Sequence, residues 1–303
     1  MTDGASIDLD AFLRNETVQV ERALERALAA LAGDIPAELT QPIRQSVMTG
    51  GKRLRPILCV VAYRACGGAN GPEAYDLSAA LELVHAYSLM HDDLPCMDDA
   101  ELRRGRPTPH TLFGEAATVR AGQALIPAAS LHALRATKAL GCDDDTARSV
   151  VRELNRAAGA GGMVGGQYLD LLAEGSALTS DELDALHRRK TGALLTASLV
   201  IGGLAARAPE STLVGLRSYG RAIGLAFQAT DDLLDGTASA ADLGKHPSDA
   251  QLDKSTYVSL HGVAESELRA RALTQEAVEA LRVAQFDAPE LVALGHYVVE
   301  RKR

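Results

Sequence analysis

The chain has no surplus of positive charge. Its net charge is −9, which argues against a nucleic-acid binder, since such proteins usually present a basic face. A local basic pocket for phosphate remains compatible with this acidic balance. Cysteine is sparse: Cys59, Cys66, Cys96 and Cys142 form no Cys-x-x-Cys pair. That spacing supports neither a zinc site nor a disulfide framework, and a reduced, cytoplasmic setting is expected. No apolar run is long enough to cross a bilayer, which takes about 20 residues. The longest nearly apolar stretch, Ala193 to Ala206, is short and rich in small residues. The polar, acidic segment Met1 to Asp10 does not resemble a signal peptide. Tryptophan is absent. No alternating strand pattern, hairpin signal, fixed-period repeat or low-complexity linker is evident.

What is present reads as helix. Val18–Leu31, Asp76–Asp92, Asp181–Leu204 and Leu213–Leu234 carry apolar residues at helical spacing. Gly50-Gly51, Gly67-Gly68, Gly161-Gly162 and Gly165-Gly166 are expected to break or end helices. Ser180 opens a helix start, and Ala238 to Gln251 reads as a loop. One all-α domain of antiparallel helices over residues 1–303 accounts for these signals.

Two aspartate clusters lie in apolar, helical surroundings, where unpaired carboxylates are costly to bury. The second is Asp231-Asp232-Leu233-Leu234-Asp235. Asp231 and Asp235 share a helix face, so their charges repel and call for a counter-ion. The first is His91-Asp92-Asp93-Leu94-Pro95-Cys96-Met97-Asp98-Asp99. Pro95 cannot donate a hydrogen bond, so the helix should end or bulge there, and a bulge would bring Asp92 and Asp98 into register. An acidic turn after a helix end explains the first cluster equally well, and a solvated acidic face is the alternative for the second. If one cavity receives both clusters, Mg²⁺ with a phosphorylated ligand is the natural counter-charge.

Cations flank the clusters. Gly50-Gly51-Lys52-Arg53-Leu54-Arg55-Pro56 sets two glycines before three basic residues. Leu102-Arg103-Arg104-Gly105-Arg106-Pro107-Thr108 follows the first cluster, Lys190-Thr191-Gly192 lies in a helical stretch, and Lys245 and Lys254 follow the second cluster. Arginine matches phosphate oxygens with a planar fork. There is no Gly-x-x-x-x-Gly-Lys-Ser/Thr phosphate loop, and the serine motifs that would accompany Lys-Thr-Gly in a penicillin-binding enzyme are lacking.

In combination these motifs resemble the trans-isoprenyl diphosphate synthases, especially bacterial farnesyl and type II geranylgeranyl diphosphate synthases. The resemblance runs from about Val18 to the C-terminus and includes Gly165-Gly166-Gln167 with Asp170, Phe227-Gln228, and Lys254-Ser255-Thr256-Tyr257. It implies an isoprenoid synthase fold, with antiparallel helices around a deep central cavity. It implies Mg²⁺ held by Asp92, Asp98, Asp231 and Asp235, with Asp93 and Asp232 also in the catalytic set. It implies isopentenyl diphosphate on Lys52, Arg55, His85 and Arg104. It implies an allylic diphosphate on Arg103, Lys190, Thr191, Gln228 and Lys245, with Lys254 close by. A homodimer without stable membrane insertion is the family's usual form.

Tyr87 and Ser88 precede Asp92 by five and four residues, roughly 6–7.5 Å along a helix. A tyrosine there should floor the cavity, and the resemblance associates it with a C15 product, with C20 as the alternative. Arg301, Lys302 and Arg303 are expected to fray, with an electrostatic cap on the site as the alternative. Two departures from the family pattern stand out: Gln123 after Gly122, and Ala229-Thr230 before the second cluster. Two other readings compete. A class I terpene cyclase would lack the two-substrate basic motifs, and a non-catalytic synthase subunit would have lost one aspartate cluster.

Overall fold

Helices follow from caps and periodicity along the described residues. The computed structural model describes residues 7–237 and 255–301, so the expected loop at Ala238 to Gln251, and with it Lys245 and Lys254, lies outside the described residues. Helix α1 (Leu9–Leu31) starts on the Asp8 side chain, which accepts from Ala11 N. Helices α2 (Ala37–Met48) and α3 (Leu54–Ala65) are separated at Gly50-Gly51, and Gly67-Gly68 follows α3. Helix α4 (Pro72–Asp92) has proline at its first position, where no amide donor is missed.

A two-residue antiparallel ladder comes next, β1 (Leu102–Arg103) against β2 (Arg106–Pro107), pairing Leu102 with Pro107 and Arg103 with Arg106. This is a hairpin that alternation could not reveal, because each strand is two residues long. Its signal is the turn: Arg104 and Gly105 both have positive φ, 54° and 71°, the backbone that a two-residue hairpin favours.

Helices α5 (Pro109–Phe113), α6 (Glu115–Ala139), α7 (Asp144–Ala158) and α8 (Met163–Leu172) follow. Gly165 and Gly166, expected to break a helix, instead lie inside α8. The reason is space: a Cβ on Gly166 would sit 2.2 Å from the backbone nitrogen of Lys190. Helix α9 (Ser180–His187) begins on a capping box between Thr179 and Glu182. It runs through a π-helical turn, Arg188–Gly192, into α10 (Ala193–Ala205). Then come α11 (Glu210–Thr237), α12 (Tyr257–His261), α13 (Val263–Val283) and α14 (Pro289–Glu300).

Helix α10 is buried nearly throughout, from Leu194 to Ala205. It packs against α3, α7 and α11, while α4 packs against α1, α3 and α6. One apolar core runs through these helices, and a small satellite of Leu183, Ala229, Tyr257 and Ala270 joins α9, α11, α12 and α13. The apolar stretch 193–206 is therefore core. Among the described residues no helix is long and apolar enough to cross a membrane.

Candidate active site

A cavity of about 370 Å³ opens between α4, α8 and the π turn. Arg55, His85, Tyr87, Ser88, Asp92, Lys190 and Thr191 line it together. These residues are scattered from position 55 to 191, and the fold brings them to one wall. Met97, Met163, Gln167, Tyr168 and Leu171 are also among the lining. Met97 and Gln167 entered the sequence reading only as members of motifs, and Met163, Tyr168 and Leu171 not at all, because apolar residues at helical spacing look like any core.

The first cluster closes as a loop. Helix α4 ends at Asp92, and the Asp98 amide then donates back to the Asp92 carbonyl at 2.9 Å. The helix therefore stops, and the six-residue return sets Asp98 beside Asp92. Burial, and then the Asp98 carboxylate, push the Asp92 carboxyl up to about 7, against the pull of Lys190. Asp93 is 1% exposed and faces the hairpin: Arg103 grips it with Nε at 2.8 and 2.9 Å and Nη2 at 2.5 Å.

The basic motif is anchored by its middle member. Arg53 is 3% exposed, has a left-handed backbone, pairs with Glu82 at 2.6 Å and donates to the Val47 carbonyl at 2.9 Å. Its neighbours can then face outward. The buried Nε of Arg55 has no hydrogen-bond partner among the described residues, and the side chain lines the cavity, so a donor is available to an anion. Arg104 donates to the Gly50 carbonyl and lies over Gly51, where any Cβ would collide with it. Partial desolvation and the Arg301 and Arg104 charges lower the Lys52 ammonium to about 8, while Asp231 opposes them. His85 is held well below its ordinary value by burial and by the surrounding arginines, led by Arg55, so it is a neutral imidazole.

The second cluster joins this wall through the π turn. Lys190 pairs with Asp170 at 2.6 Å. Thr191 donates to Gln228 Oε1 at 3.1 Å, and Gln228 Nε2 donates to Asp232 at 3.0 Å. Asp232, 6% exposed, also accepts from the Tyr257 amide at 2.8 Å. Asp231 and Asp235 are half-buried on α11, and the charge of Asp231 is felt by Arg55 in the cavity wall. The expected fraying fails at Arg301, which is 7% exposed and bound to Asp231, while Lys302 and Arg303 lie outside the described residues. A supporting cluster went unread in the sequence: Asp184 accepts from Tyr257 Oη at 2.5 Å and from Arg269 at 2.6 Å, locking α9 to α12 and α13.

The two departures take concrete form. Gln123 is exposed, while Gly122 beside it leaves room for His91, whose Nε2 would be 2.2 Å from any added Cβ. Ala229 is fully buried in the satellite cluster with Tyr257, and Thr230 bonds back to the Ala226 carbonyl at 2.9 Å.

Among the described residues no three His, Cys, Asp or Glu side chains converge enough to hold a metal alone. The donor set nevertheless suits magnesium. That ion takes one or two carboxylates and completes its shell with water and phosphate oxygens, and a buried carboxyl as raised as Asp92 is one that a dication would return to its charged form.

The polyprenyl synthetase family model matches residues 36–291. The chain belongs to that family. A geranylgeranyl pyrophosphate synthase from Catharanthus roseus is 40% identical over 305 residues, 99% of this chain and 83% of the relative. An FPP/GFPP synthase from Zymomonas mobilis superposes with a TM-score of 0.82 at 34% identity, over 95% of this chain and 99% of that one. A geranyltransferase from Helicobacter pylori, solved with magnesium and isoprenyl diphosphate, superposes at 0.74 and 28% identity, over 94% of this chain and 96% of that one. This polyprenyl synthetase is a short-chain trans-prenyltransferase.

Proposed function

We propose that the enzyme condenses isopentenyl diphosphate with dimethylallyl and geranyl diphosphate to give farnesyl diphosphate. The observation that carries the C15 length is Tyr87. It is 4% exposed, its hydroxyl donates to the Ala158 carbonyl at 3.3 Å, and its ring meets His91 edge-on at 5.9 Å. A floor held from α7 and from its own helix does not swing aside easily. The C20 product is the second reading, favoured by the plant relative's name.

Asp92, Asp98, Asp231 and Asp235 would hold magnesium, which when bound draws electron density from the diphosphate leaving group. Lys190 and Arg103 stand beside the first cluster, so they stabilise the same developing negative charge. The allylic C–O bond breaks and the diphosphate leaves with both electrons. The double bond of isopentenyl diphosphate, held by Lys52, Arg55, Arg104 and the neutral His85, attacks the allylic carbon. A proton then passes to the released pyrophosphate, so no protein base is needed. Asp93 and Asp232 act through the groups they hold, Arg103 for one and Gln228 with Tyr257 for the other. The methionine and leucine lining keeps water from the cation. Lys245 and Lys254 retain the allylic diphosphate role that the family motif gives them.

The exposed apolar side chains Leu112, Phe113, Ile126 and Leu131 on α5 and α6 support a homodimer, and sedimentation velocity tests it. The four free cysteines support a reducing, cytoplasmic setting. Purified enzyme incubated with Mg²⁺, isopentenyl diphosphate and each allylic diphosphate, with products resolved by chromatography, decides the chain length. A dominant C20 peak would replace the C15 reading, and cyclic products or none would remove the chain-elongation reading.

A further inference from the structure

The end of α14 enters the site assigned to magnesium and diphosphate, so its role depends on that assignment. The Arg301 side chain is 3% exposed. Its guanidinium lies 4.0 Å from the centre of the Phe227 ring. Nε donates to the Val298 carbonyl at 3.0 Å, and Nη2 donates to the Phe227 carbonyl at 3.2 Å and to Asp231 Oδ1 at 2.5 Å. Three acceptors and one ring fix a single position for a long, flexible side chain. A buried guanidinium is costly unless its charge is met, and here a candidate metal ligand meets it.

We propose that Arg301 is a positioning residue that holds Asp231 before the metal arrives and then competes with the metal for it. A guanidinium and a dication on one carboxylate oxygen would stand within about 5 Å of each other, where like charges repel strongly. The dication therefore takes Asp231 as Arg301 lets go. Diphosphate brings the negative charge that offsets both cations, so the second cluster loads with metal and diphosphate together rather than with metal alone. Release of the C-terminal arginine accompanies that loading.

Mn²⁺ binding to the full chain, followed by electron paramagnetic resonance with and without inorganic pyrophosphate, tests this. R301Q should bind Mn²⁺ without pyrophosphate about tenfold more tightly than wild type, because a competing cation is gone. R301K, which keeps the charge, should stay near wild type. In a D231N background the R301Q change should have no effect. Equal or weaker Mn²⁺ affinity in R301Q overturns the proposal, and so does a full effect in the D231N background.

Trypsin gives a second readout that needs no turnover. Cleavage after Arg301, followed by intact mass, should be slow in the metal-free enzyme and faster once Mg²⁺ and pyrophosphate are added. An unchanged or slower cut also overturns the proposal. Wild type that takes up no Mn²⁺ even with pyrophosphate removes the metal–diphosphate assignment and the competition with it. Uptake that is indifferent to Arg301 removes the competition alone.

Discussion

Tyr87 illustrates how much a single side chain decides. Its hydroxyl and ring are both engaged, and burial pushes its pKa up to about 12, so it stays neutral and in place. Tyr87→Ala should open the floor by the volume of a phenol and shift the product one isoprene unit or more longer, read by chromatography of dephosphorylated products. An unchanged distribution would remove the floor role. His187 makes a different point. It is 7% exposed, and neither ring nitrogen has a hydrogen-bond partner among the described residues. Burial holds it at about 4, below the ordinary value of about 6.5. The unfolded chain therefore binds a proton that the native state refuses between about pH 6.5 and 4, and stability falls as pH drops through that window. The gap corresponds to roughly 3 kcal/mol. Urea midpoints at pH 7 and pH 4.5 should fall further in wild type than in His187→Gln, and equal losses would contradict this.

At the scale of elements, α8 and the π turn are one unit. Gly166 lets the two backbones touch, and Asp170 on the same helix pairs with Lys190. Gly166→Ala should force them apart at a cost of about 1–3 kcal/mol, lowering both the melting temperature and the turnover. Gly161→Ala, where no atom lies within 4 Å of the added Cβ, is the control and should change little. The long helices were legible in the sequence because their apolar period is strong over many turns. The π turn was not, since Arg188–Gly192 has no local pattern of its own and owes its winding to what packs on it. The hairpin escaped for a related reason: only Arg104-Gly105 marks it. The aspartates and the flanking basic motifs were legible because charge inside an apolar stretch is conspicuous. Arg301 was legible only as one of two alternatives, cap or frayed tail, because a cation at a chain end looks the same whether buried or frayed until α14 is docked.

At the scale of the molecule, the site is a property of the tertiary arrangement. The two acidic clusters lie more than a hundred positions apart in the chain; Asp92 of the first lines the cavity, and the second is tied to the cavity wall through Asp232, Gln228 and Thr191. A ligand that spans both walls should therefore stabilise the whole fold. Mg²⁺ with inorganic pyrophosphate, at a hundredfold excess over Kd, should add about 2.7 kcal/mol, seen as a melting temperature several degrees higher. Either component alone should give much less. Equal shifts from magnesium alone would mean that the two walls do not share a ligand.

The five residues 188–192 wind one step wider than the helices on either side, which amounts to one amino acid more than regular coiling would use. Wound as regular α-helix with all five kept, the surplus residue would turn everything beyond it by about 100° relative to what precedes it. Either the greasy flank of α10 would leave the interior, or α9 would lose its grip through Asp184. The surplus residue is thus a phase adjuster between two gripped ends, and the lysine and threonine that face the substrate chamber sit on it.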